Sequence, residues 1–116
     1  MDFDAAIRAH AEWKMRLTRY LKSPDHSLES SFVERDDQCA LGKWLYGEGH
    51  TLAGQARYQE LLRTHAEFHR AAGTILRRID AGETLSADVL FGPESEYSRL
   101  SGEVVILIMH MRRKAA

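Results

Sequence analysis

One cysteine stands among 116 residues, so no disulfide can close within the chain. With no secretory signal pattern beside it, that points to a reducing compartment, and the cytoplasm is the expected location. Only two prolines interrupt the chain, which leaves long stretches free to be helical. The longest apolar run, Val104 to Met109, falls far short of the ~20 residues that a membrane-spanning helix needs. Neither charge is in excess: 16 Lys and Arg face 17 Asp and Glu, for a net charge of -1. Without a basic surplus to neutralise phosphates, nucleic-acid binding is not expected. There is no internal repeat and no low-complexity segment.

What remains is rich in alanine, leucine, arginine and glutamate and 28% charged, the composition of an all-α protein. At this length a single domain, residues 1–116, can bury a core without a disulfide or metal as an obligatory staple. A first helix is predicted from Asp2 or Asp4 to Leu21, stopped by Ser23-Pro24. Its inward positions follow a three-four spacing: Phe3, Ala6, His10, Trp13, Leu17 and Tyr20. The serine-rich stretch from Pro24 to Gln38 reads as a crossing loop with Phe32-Val33 as its apolar foothold. Asp36-Asp37 then leads into a short helix with Cys39 in its first turn and Gly47 at its close. A long helix is predicted from Thr51 or Leu52 to Asp80, with Gly82 just past its end. Its seam is Tyr58, Leu62, His65, His69, Ala72, Leu76 and Ile79. The last helix should cover Ser86 to Arg113, with a break or kink at Gly92-Pro93. Tyr97, Ser101, Val104, Ile108 and Met111 form its inward set, yet Val105, Ile106, Leu107 and Met109 make its other faces apolar too. Such a helix needs a second surface, and another copy of the chain is the simplest one: a homodimer with Val104–Met111 as the interface.

Four metal-capable residues fall on inward faces: His10, Cys39, His65 and His69. At the start of a helix Cys39 meets unpaired backbone N–H groups and the positive dipole end, which favour a thiolate; its alternative is burial as a small apolar residue. One buried histidine is ordinary, but two stacked a turn apart in one seam are costly unless both are satisfied. A metal satisfies both. Three imidazoles and one thiolate are the number and type of ligand for a tetrahedral zinc site, with one Zn2+ per chain. Four protein ligands leave no open position for substrate, so no enzyme activity is expected. A zinc-protease helix needs His-Glu-x-x-His, and here Ala66 follows His65. A hemerythrin-like metal-binding bundle, the first alternative, calls for more core histidines and bridging carboxylates, and the thiolate favours zinc. A zinc-stabilised structural interaction module is the second alternative. Gly42, one turn after the cysteine, suggests that another helix approaches closely there. His26 and His50 in loops, and His110 beside the inward set of the last helix, stand outside the constellation.

With those residues in view, the chain resembles the chemoreceptor zinc-binding domain family. The resemblance rests on His10-x-x-Trp13, on Cys39-Ala40-Leu41-Gly42-Lys43-Trp44 as a C-x-L-G-x-W signature, and on His65-x-x-x-His69, in that order over essentially the whole chain. It implies that His10, Cys39, His65 and His69 bind zinc. It also implies an antiparallel helical bundle, here four helices with an additional short cysteine-bearing helix, that commonly dimerises. The role implied is sensory or regulatory, in bacterial chemotaxis or cyclic-di-GMP signalling, alone or attached to a signalling domain. Its cysteine would respond to zinc availability or to oxidants such as hypochlorous acid. Asp36 and Asp37 are the candidates for supporting the histidines from behind.

Overall fold

Asp2 starts the first helix: its carboxylate accepts the Ala5 N–H at 2.9 Å, and Asp4 adds negative charge to the first turn. The computed structural model describes residues 1–115, and among these there are helices and turns but no strand. The order is α1 (Phe3–Lys22), α2 (Ser30–Val33), α3 (Ala40–Tyr46), a 3-10 turn at Glu48–Leu52, α4 (Ala56–Asp80), α5 (Ala87–Phe91) and α6 (Glu96–Ala115). The predicted break near Gly92-Pro93 is therefore complete, dividing the last helical stretch into α5 and α6. α4 begins later than expected. Gln55 is its N-cap, and the Gln59 side-chain amide donates to the Ala53 carbonyl at 2.7 Å, so residues 48–52 form a separate tight turn.

Contacts at the ends of the long helices give their directions. The Tyr20 hydroxyl near the end of α1 donates to Asp80 at the end of α4, at 2.6 Å, so these two helices run the same way. Asp4 at the start of α1 pairs with Arg112 near the end of α6, so α6 runs against both. The chain must accordingly travel back along the molecule between α1 and α4, and α2, α3 and the 3-10 turn make that journey. Three long helices are present among the described residues. The return leg is not a fourth continuous one, because its polar, serine-rich sequence supplies too little apolar surface to hold a long helix.

α4 is the central element. α6 packs along it on one side and α2 sits on it from another. That double cover explains why Leu61, Phe68 and Ile75 are buried in addition to the seam, while Leu62 is only half-buried. α6 buries Tyr97, Leu100, Val104, Ile108 and Met111, and Leu107 also turns inward rather than onto the free face. Ile106 and Met109 remain 57% and 41% exposed. Among the described residues no helix is long and apolar enough to cross a membrane.

The Tyr20–Asp80 hydrogen bond ties α1 to α4 at the end remote from their N-termini, and it pushes the Tyr20 pKa up to about 12, with burial as the second cause. A phenol whose folded pKa lies above its ordinary value contributes stability below about pH 10 and loses that contribution as pH rises through 12. Tyr20→Phe should cost about 1 kcal/mol at neutral pH. In urea unfolding, the gap between parent and variant should narrow as the solution becomes strongly alkaline.

Candidate metal centre

His65 and His69 are one turn apart on α4 and are both almost fully buried, at 0% and 3% exposure. The return leg delivers Cys39 onto them as the N-cap of α3. Cys39 Sγ lies 3.3 Å from His65 Nε2 and 3.6 Å from His69 Nε2, and the two Nε2 atoms are 3.0 Å apart. All three ligand atoms fall within 4.8 Å of one another, and among the described residues this is the group able to hold a metal ion. No carboxylate belongs to it, which removes the chemical basis of a hemerythrin-like centre in this cluster.

The protonation of the group follows from its hydrogen bonds. His69 Nδ1–H donates to the Val33 carbonyl at 2.8 Å, which leaves the Nε2 lone pair of a neutral ring aimed at the cluster. Burial lowers the pKa of all three inward histidines, His10 to about 4 and His65 to about 2, with the neighbouring imidazoles adding to the effect for those two. The rings are therefore neutral at pH 7, the form a metal requires. At 3.0 Å the His65 Nε2–H can donate to that His69 lone pair, and a metal ion replacing the proton would lie off the line between the two nitrogens. His65 Nδ1 and His10 Nδ1 are both buried without a hydrogen-bond partner.

His10 is also buried, at 3% exposure, and its ring centroid lies 5.3 Å from that of His65 and 6.3 Å from that of His69. It adjoins the three-residue group without belonging to it. His26 and His50 are exposed, and His110 contacts Arg113 on α6.

These residues fit zinc. Tetrahedral bonds of about 2.0–2.1 Å to nitrogen and about 2.3 Å to sulfur give edges of about 3.3 Å between nitrogens and about 3.5 Å from sulfur to nitrogen. The observed 3.0, 3.3 and 3.6 Å are close to those edges. Two soft-to-borderline imidazole nitrogens and a sulfur, with a third imidazole alongside, form a donor set that prefers zinc to hard cations.

Three local expectations are corrected. Burial raises the Cys39 thiol pKa, and the Gly42 and Leu41 N–H groups offset it only in part, so the start of a seven-residue helix does not by itself make a thiolate. A bound Zn2+ would supply the charge that does. Asp36 and Asp37 do not hold the histidines: Asp36 accepts from Tyr46 at 2.6 Å and Asp37 pairs with Arg35. For His69 alone that task falls to the Val33 carbonyl, for which the only sequence signal was the apolar foothold Phe32-Val33. Gly73, one turn beyond His69, makes the contact possible, since a Cβ there would lie 2.7 Å from Glu34 Cβ at the end of α2.

The third correction concerns Gly42. The close approach at this glycine comes from the turn just before α3, not from another helix: a Cβ would sit 1.8 Å from the Asp36 carbonyl oxygen. The same glycine donates its N–H to Cys39 Sγ at 3.3 Å. Gly42→Ala must push the Asp36–Cys39 turn away, and should destabilise the domain by at least about 1–3 kcal/mol while lowering its metal content. Urea unfolding and metal analysis of the same preparation check both effects.

Comparison with known proteins bears on the same residues. The family model of the chemoreceptor zinc-binding domain matches residues 10–76, more than half of the chain. That span opens at His10 and contains Cys39, His65 and His69. No curated protein and no solved structure matches the chain. The chain belongs to the chemoreceptor zinc-binding domain family.

Proposed function

We propose that this domain is a zinc-binding sensory or regulatory module of bacterial signalling, of the chemotaxis or cyclic-di-GMP type, in which His10, Cys39, His65 and His69 hold one zinc ion per chain. The observation that carries the reading is the convergence of Cys39, His65 and His69 on one buried point, with the unpartnered His10 beside it. Four protein ligands close the coordination sphere, and a closed sphere suits regulation rather than catalysis.

Cys39 is the ligand through which conditions in the cytoplasm act. Zinc binding requires its thiolate, so occupancy follows zinc availability. Hypochlorous acid would convert that thiolate to a sulfenic acid, the sulfur gaining the hydroxyl while chloride departs, and a sulfenic acid is a poor ligand. Loss of the common anchor would free α1, α3 and α4 to shift, and an attached or partner signalling domain would read the shift. In this reading α2 and α3 are the broken second member of an antiparallel four-helix bundle. A second copy covers α6, where Ile106 and Met109 are exposed and Gly102 has open space around it, so that helices can approach closely.

The purified domain should carry about one zinc per chain. Alanine at His10, Cys39, His65 or His69 should each reduce that content, as measured by elemental analysis. A zinc-free protein prepared without chelator, or variants that all retain full zinc, would defeat the reading. Ile106→Glu should leave zinc content unchanged and convert a dimer to a monomer in sedimentation velocity; a dimer of undiminished stability would exclude α6 as the interface.

A further inference from the structure

A histidine that binds a metal is ordinarily oriented by a hydrogen bond from its other ring nitrogen. His69 has this, through the Val33 carbonyl. His10 does not: among the described residues neither of its ring nitrogens makes a hydrogen bond, and its Nδ1 is buried without a partner, so no hydrogen bond sets the angle of its ring. Packing has to do so. The nearest aromatic ring to His10 is that of Phe68, with centroids 4.8 Å apart and planes inclined at 55°. Phe68 is fully buried and lies on α4 between the two cluster histidines in sequence, with its ring edge-on to His69 at 5.5 Å. Behind it, the Tyr97 ring of α6 packs at 5.2 Å, and Phe91 of α5 closes the stack at 5.3 Å from Tyr97. The Tyr97 hydroxyl is buried without a partner, so Tyr97 contributes its ring rather than a hydrogen bond.

We infer that Phe68 is a positioning residue for the metal site: its ring, backed by Tyr97, takes the place of a hydrogen-bond acceptor in holding the His10 imidazole towards Cys39, His65 and His69. The inference rests on the reading of His10 as the fourth zinc ligand. Phe68 itself touches no metal. Its part is to limit the rotation of His10 about its side-chain bonds, so that completing the site costs little reordering.

Cobalt(II) titration of the whole domain separates this role from simple core filling, because the sulfur-to-cobalt charge-transfer band reports Cys39 and the strength of the d–d bands reports four-coordination. Phe68→Leu should keep the charge-transfer band, weaken the d–d bands, and lower cobalt affinity about 10–100-fold, as is usual for residues that orient ligands. Phe68→Met, whose flexible unbranched chain fills the gap more adaptably but lacks the flat face, should do the same and serves as the second variant should Phe68→Leu fold poorly. Tyr97→Phe, which keeps the ring, should match the parent. In the His10→Ala background, Phe68→Leu should have no further effect on the bands or the affinity. Parent-like spectra and affinity in both Phe68 variants would overturn the inference, as would a loss that simply adds to that of His10→Ala. A His10→Ala protein with the parent spectrum would overturn the four-ligand reading and this inference with it, whereas altered His10→Ala with unaltered Phe68 variants overturns this inference alone.

Discussion

Three neutral imidazoles buried in one small helical core are the constraint on which the other features of this domain depend. Moving an imidazole out of water is tolerable when both nitrogens find partners, and costs about 1–3 kcal/mol for a polar group left without one. Here His69 is tied to Val33, while His65 and His10 each keep a buried Nδ1 with no partner. An apolar residue at either position would pack more cheaply. The arrangement makes physical sense when the Nε2 lone pairs of His65 and His69, 3.0 Å apart and facing a sulfur, are the groups in use.

The topology serves that convergence. Because α1 and α4 run in the same direction, His10 at the middle of one comes level with His65 and His69 at the middle of the other. The price is a return leg, and the return leg carries the sulfur ligand. Its local structure is set by close backbone packing rather than by a long helix: Gly73 lets α2 settle on α4, and Gly42 lets the turn before Cys39 fold over α3. The long helices thus provide nitrogen donors in stiff positions, and the short segments provide the single thiol. Burial holds that thiol protonated, so its ionisation is coupled to the arrival of positive charge.

Much of this was legible in the residues. The three-four spacing put Phe3, Ala6, His10, Trp13, Leu17 and Tyr20 on one face of α1; five of the six are buried there, and Trp13 is half-buried. The i, i+4 pair on α4 and the lone cysteine near a helix start gave the chemistry of the cluster, because those choices act locally. Less legible was whatever depends on backbone meeting backbone. The Val33 carbonyl is invisible to any side-chain pattern, and so is the Asp36 carbonyl that makes Gly42 necessary. Phe68 fell outside a seam drawn for a helix with one covered side, whereas α4 is covered on two. The serine-rich leg, read from the sequence as a crossing loop with Phe32-Val33 as its foothold, carries only the four-residue α2 at that foothold.

These features all turn on the identity of the ligands around one ion. X-ray absorption at the zinc edge of the loaded domain reads them most directly. One sulfur at about 2.3 Å and three nitrogens at about 2.0–2.1 Å, with the imidazole scattering pattern, is the predicted first shell. A shell without sulfur, or one of five or six oxygen and nitrogen donors, would contradict it.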